Sequence, residues 1–153
     1  MITILAVGKI KEKYLTDLIN EYQKRITKYH KINIVELEDE TNKQAEELII
    51  NKESKRILEH IPTNSYVVLL DLKGHMLDSV ELASKIQNIF TYESSNITFI
   101  IGGSCGVNDE VRQVSNYRLC FSKMTFPHQL MRGILLEQIY RSFKILNNEI
   151  YHK

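Results

Sequence analysis

The sequence predicts an α/β sandwich, a parallel sheet with helices on both faces, and its patterning is what predicts it. Short β-rich runs, each ending near a turn or polar cluster, alternate with helical periodicities to the end of the chain, the signature of a parallel sheet covered by helices on both faces. The 153 residues leave no room for a second unit, so residues 1–153 read as a single domain. The composition, 43% hydrophobic and 25% charged, is that of a globular chain and excludes disorder and low-complexity behaviour.

Five strands are expected, at Ile2 to Val7, Ile32 to Leu37, Tyr66 to Leu72, Asn96 to Ile101 and Tyr117 to Phe121, each ending near a turn or polar cluster. Between the first two, Leu15, Leu18, Ile19, Tyr22, Ile26 and Tyr29 recur at three and four residues and define an amphipathic helix. Ala45, Leu48, Ile49, Ile57, Leu58 and Ile61 give a second helix that stops before Pro62. Asp78 with Glu81 forms a candidate capping box ahead of Leu82, Ala83, Ile86, Ile89 and Phe90. A short helix over Asp109 to Val114 follows. The last helix begins after Pro127, with Thr125 as a candidate cap, and runs through Leu130, Met131, Ile134, Leu135, Ile139, Phe143 and Leu146.

Several function classes lose support at once. No apolar run approaches the roughly 18 residues of a membrane span. The chain begins directly on a strand pattern with no basic leader, so a cytoplasmic location is expected. Cys105 and Cys120 form no CxxC pair and read as free thiols, and the five histidines show no metal-ligand spacing, so no metal is expected. Net charge is +1, but it is unevenly spread: residues 1–35 carry +4, 36–51 carry −5, 52–111 carry −3 and 112–153 carry +5. If the two ends meet in the fold, they make one face attractive to phosphate.

In parallel sheets ligands bind beyond the carboxyl ends of the strands. Three of those ends are chemically distinctive. The fourth strand runs into Gly102-Gly103-Ser104-Cys105-Gly106, where backbone can approach a ligand closely, although neither a GxGxxG nor a Walker pattern is present. The third runs into Asp71-Leu72-Lys73-Gly74-His75, by itself a routine turn. The fifth leads through Ser122-Lys123-Met124-Thr125-Phe126-Pro127-His128-Gln129 into the last helix, where His128 and Arg132 share a face. This pair suits handling of a proton and an anionic oxygen; a capping histidine beside a surface arginine would leave the same trace. A non-catalytic nucleotide-binding module and a Cys105-dependent hydrolase remain open on the residues alone.

Taken together, Ile4-Leu5-Ala6-Val7-Gly8-Lys9, Ile100-Ile101-Gly102-Gly103, Ser122 through Gln129 with Arg132, and the closing Tyr151-His152-Lys153 resemble the RlmH family of SPOUT-class methyltransferases. Members of that family use S-adenosylmethionine to methylate N3 of a pseudouridine in 23S ribosomal RNA of the ribosome. The likeness covers the whole chain and is weakest in the acidic stretch leading into the second helix. It implies a homodimer and a C-terminal trefoil knot, a topology that sequence physics would not suggest. It places the cofactor against Leu70, Gly102, Gly103, Phe121, Ser122, Lys123, Met124, Thr125 and Phe126. It also implies that Tyr151 and His152 reach the target base, in cis or across the dimer. Another RNA target for the same fold is the nearest variant.

Methyl transfer from a sulfonium needs in-line approach of a nucleophilic nitrogen, and an imide N3 is a poor nucleophile until its proton is removed. At a helix N-terminus His128 is biased toward neutral imidazole, which suits a base, and Arg132 one turn on would stabilise the carbonyl oxygen that gains charge. A cationic donor also favours a loop of carbonyls and apolar side chains over a ring of lysines. RNA contacts are expected from Lys9, Lys11, Lys13, Lys24, Arg25, Lys28, Arg112 and Arg118.

Overall fold

The computed structural model describes residues 1–41 and 43–153. Its strands are β1 (Ile2–Val7), β2 (Ile32–Leu37), β3 (Tyr66–Met76), β4 (Ile97–Ile101) and β5 (Tyr117–Cys120). Its helices are α1 (Lys13–Ile26), α2 (Glu46–His60), α3 (Ser79–Asn88), α4 (Asp109–Val114) and α5 (His128–Leu146). The strands form one parallel sheet in the order β2-β1-β4-β3-β5. After β3 the chain returns to lay β4 between β1 and β3, then steps over β3 to set β5 on the outer edge.

Strand side chains alternate between the faces, and each face has its own core. Ile2, Ile4, Ala6, Phe99, Ile101, Val68 and Leu119 pack with residues of α1, α3 and α5. Leu5, Val7, Val67, Leu69 and Ile100 pack with Ile57 of α2 and Val111 of α4. Helices therefore cover both faces, as the patterning predicts. Helices α1 and α5 lie side by side, so the two positively charged ends of the chain do meet: Tyr22 packs on Tyr140 at 6.1 Å between ring centroids. A Cβ on Gly133 would lie 2.7 Å from Leu18 Cδ2.

The expected capping box of α3 is present in full. The Asp78 carboxylate accepts from Glu81 N–H and the Glu81 carboxylate accepts from Asp78 N–H, both at 2.7 Å. Beyond Asn88 the helix widens into a π turn over Ile89–Glu93. Two local expectations change. The start of α5 is Pro127, without a side-chain cap, so Thr125 does not serve as one. On α2, Leu48 faces solvent, and the buried positions are Glu53, Ser54 and Ile57.

The turn expected after Leu72 is an excursion within β3. Leu70 and His75 both pair with Leu119, so residues 71–74 bulge out of the ladder before the strand rejoins β5 at His75 and Met76. Asp71 anchors the bulge by accepting from Arg118 Nε at 2.9 Å and pairing with Arg118 Nη2 at 2.7 Å. Gly74 lies flat on β5: a Cβ there would sit 2.6 Å from the Arg118 carbonyl carbon and oxygen. Backbone cannot yield as a side chain tip does, so Gly74→Ala is expected to cost about 1–3 kcal/mol. Chemical denaturation of the variant beside the native chain measures it.

Candidate active site

The carboxyl ends of β3, β4 and β5 and the start of α5 enclose a cavity of about 420 Å³. Leu70, Gly102, Gly103, Phe121, Ser122, Met124, Thr125 and Phe126 line it, and so does His128. Lys123 is exposed and does not face the cavity. Ile101, Val107, Leu119 and Met131 supply further apolar wall. The Gly102–Gly106 segment folds into a tight turn in which Gly106 N–H donates to the Gly103 carbonyl at 3.0 Å and Gly106 sits at φ +88°. Its continuation is held by α2: the Asn108 N–H donates to Ser54 Oγ at 3.0 Å, and Asn108 itself caps α4.

His128 is the first residue of α5 and is half-buried. Burial, reinforced by the Arg132 charge and opposed by Asp39, holds its pKa below the ordinary histidine value. No hydrogen bond from the described residues occupies its ring, so both nitrogens are available to a ligand. It rests against the end of β1, where a Cβ at Gly8 would lie 3.7 Å from His128 Nε2. Gly8 has φ +95°, a conformation that only glycine adopts without strain.

Arg132 does not point into the mouth of the sheet as its spacing from His128 suggests. It is 1% exposed and does not line the cavity. Its Nη1 pairs with Glu36 Oε2 at 2.7 Å, and its Nη2 donates to the carbonyls of Gly8 at 2.7 Å and Val7 at 3.2 Å. These bonds tie the end of β1 to α5, while Nε is buried with no hydrogen-bond partner among the described residues.

Tyr151 and His152 lie elsewhere in the same protomer. The segment after α5 doubles back along the helix: Glu149 pairs with Lys144 and accepts from Tyr29 Oη at 2.9 Å. Tyr151 Oη donates to Glu137 at 3.1 Å, its ring lies under the Arg141 guanidinium, and His152 Nδ1 is 3.2 Å from Arg141 Nη1. Burial and the neighbouring Tyr22 and Glu137 push the Tyr151 phenol up to about 12, so it stays protonated. His152 lines an adjacent groove that shares Leu119, Cys120 and Phe121 with the cavity. The four candidate catalytic residues thus form two pairs on either side of that shared wall.

Sequence reasoning missed Glu137 and Arg141, whose spacing of four on one helix is the visible signal. It also missed Glu36 and Glu53; Glu53 stands out only as a charge inside the apolar stripe of α2. Cys120 is buried and donates to the Ser122 carbonyl at 3.1 Å, and Cys105 is half-buried; neither is in a disulfide. Among the described residues no helix is long and apolar enough to cross a membrane, and no group of three or more His, Cys, Asp or Glu is arranged to hold a metal. Of the basic candidates, Lys13 and Arg25 pair with Asp17 and Glu21, while Arg112 and Arg118 converge on Asp71. Lys9, Lys11, Lys24 and Lys28 have no ion-pair partner among the described residues.

Glycine backbone and apolar side chains at three strand ends, with an imidazole beside them, make a cavity of small-molecule size on an α/β scaffold, and the chain's relatives give its class. The chain belongs to the SPOUT methyltransferase family: the family description "Predicted SPOUT methyltransferase" matches residues 1–152. Within it, this is a member of the RlmH group. It is 56% identical to "Ribosomal RNA large subunit methyltransferase H" of Clostridium botulinum over 157 aligned positions, covering 99% of each chain. The protein of the same name from Clostridium acetobutylicum is 53% identical, again over 99% of each chain. Among solved structures, a probable methylase family protein from Haemophilus influenzae shares the fold, with a TM-score of 0.55 over 99% of this chain and 70% of that one at 13% identity.

Proposed function

We propose that the protein uses S-adenosylmethionine to methylate N3 of a pseudouridine in the large-subunit ribosomal RNA of the ribosome. The observation that carries this reading is the imidazole of His128, with no hydrogen-bond partner among the described residues, at the mouth of an apolar cavity walled by the ends of β3, β4 and β5. The full-length identity to proteins named for large-subunit ribosomal RNA methylation supports the substrate class.

The residues present suit a sulfonium nucleoside. Leu70, Phe121, Met124, Phe126 and Met131 offer apolar surface, and the Gly102–Gly103 backbone offers close polar contact without a cationic side chain. When bound, S-adenosylmethionine supplies an activated methyl group. His128 would take the N3 proton of the base, leaving the nitrogen free to receive the methyl group that the donor's sulfur gives up as it becomes a neutral thioether, and its lowered pKa keeps it neutral and able to do so. Arg132 fixes the Gly8 backbone against which His128 leans. Tyr151, held protonated, meets a carbonyl of the base by exchanging its bond to Glu137 for one to that oxygen, and His152 flanks it. Because these two lie across the Leu119–Phe121 wall from His128, a homodimer in which the tail of one copy completes the site of the other fits their placement. Lys9 and Lys11, directly after β1, carry the backbone phosphates toward the cavity.

Calorimetry tests the first half of the reading: S-adenosylmethionine should bind with one site per chain and ATP should give no heat. Mass spectrometry of ribosomal RNA tests the second. Ribosomes from cells lacking the protein should gain one methyl on a large-subunit pseudouridine when purified protein and S-adenosylmethionine are added. Absence of either result overturns the reading.

A further inference from the structure

Behind the Gly102–Gly106 turn sits a buried carboxyl group whose pKa burial holds above the ordinary carboxylate value, against the Glu40 N–H and with Asp39 adding to the rise, so that a cation brought close would favour its ionised form. Glu53, on α2, is 3% exposed. Its Oε2 accepts the Glu40 N–H at 3.0 Å, while Oε1 is buried with no hydrogen-bond partner among the described residues. The carboxylate presses on Gly103 so closely that a Cβ there would lie 2.5 Å from Oε1. The cation that acts on Glu53, Arg56, is committed to Glu40 at 2.6 Å and to the Glu38 carbonyl at 2.9 Å.

A buried carboxylate without a counter-ion weakens a folded protein, and an isosteric neutral residue would be more stable there. On the other face of Gly103 lies the cavity. Because Gly103 has no side chain, only one thickness of backbone separates the carboxylate from whatever the cavity holds.

We propose that Glu53 is the counter-charge for a cationic ligand group seated over Gly103, and that it makes the cavity select a sulfonium over the uncharged thioether left after transfer. This rests on the reading of the cavity as a sulfonium-donor site. The charge acts through the Gly103 backbone, so Glu53 is a specificity-determining and positioning residue. It attracts the donor, and the attraction ends when the positive charge leaves with the methyl group, which favours product release.

The readout is the ratio of affinities for S-adenosylmethionine and S-adenosylhomocysteine, which differ at the sulfur by one methyl and one positive charge. In calorimetry Glu53→Gln should lose about tenfold in affinity for S-adenosylmethionine, with S-adenosylhomocysteine changed less than twofold. Glu53→Asp should keep most of the native ratio even if both affinities fall. The thermal midpoint of ligand-free Glu53→Gln should be unchanged or higher, since glutamine keeps the Glu40 bond and removes the unpaired charge. An unchanged ratio in Glu53→Gln, an equal fall for both ligands, or a variant that fails to fold would each overturn the proposal and leave Glu53 as a brace for the turn. No heat from the native protein with either ligand would instead refute the donor-site reading itself.

Discussion

Replacing His128 by alanine is expected to slow methyl transfer by about 10²- to 10⁴-fold, the usual contribution of a positioned general base. The same variant should bind S-adenosylmethionine within a few-fold of the native protein, because the imidazole is one of many groups lining the cavity. The pH profile provides an independent check. Burial and Arg132 lower the His128 pKa, with Asp39 opposing, so the neutral, proton-accepting form predominates at neutral pH. Activity should therefore be flat near pH 7 and fall on acidification, with the midpoint of that limb below the ordinary histidine value of about 6.5. In His128→Ala the acid limb should vanish from the residual rate. Single-turnover rates from pH 5 to 8 measure both; an alanine variant with native kinetics would remove His128 from the mechanism.

Arg132→Ala should damage the protein in a different way. It takes the guanidinium away from the Gly8 carbonyl and from the Glu36 carboxylate, which keeps only the Ile10 N–H. Breaking a buried pair from one side costs about 3–5 kcal/mol, with the lower end expected here because Glu36 is 38% exposed. In a chain of this size that lowers the thermal midpoint by roughly 10 °C. Arg132→Lys should recover little, since one ammonium cannot replace a fork that reaches a carboxylate and two carbonyls. Arg132→Gln separates positioning from mere stability. Removing the positive charge should move the acid limb of the pH profile upward at temperatures where the variant remains folded, because that charge helps hold the His128 pKa down. A large fall in rate with no change in midpoint or profile would show instead that the guanidinium meets the substrate.

Much of the fold is legible in the residues. β1 and β2 end where their apolar runs end, and Asp78 with Glu81 marks the start of α3 to the residue. Strand order is another matter. All five strands are parallel and apolar, so nothing in their composition says that β4 returns between β1 and β3. The bulge over residues 71–74 was hidden for a related reason: its cause is Arg118 on a strand 47 positions away, which holds Asp71 from across the ladder. In the site, glycines and the loop before α5 announced the cavity because backbone exposure needs particular residue types. Arg132 announced nothing of its real position. An arginine four residues after a histidine looks the same whether it faces a ligand or, as here, the carbonyls ending β1. Glu53 stood in the part of the chain least open to reading, since only the packed structure shows which face of α2 meets Gly103.

The walls of the cavity are drawn from well-separated stretches of chain: Leu70 stands on β3, Gly102 just after β4, Phe121 just after β5 and Met131 on α5. On a ribosome that is still translating, the first hundred residues of this protein can build most of a sheet yet hold no donor. Ligand capture must await the docking of β5 and the first turns of α5, contacts of long sequence separation that form slowly. Binding competence is thus a late milestone of maturation, and a truncated or half-assembled chain would not sequester the cell's methyl donor.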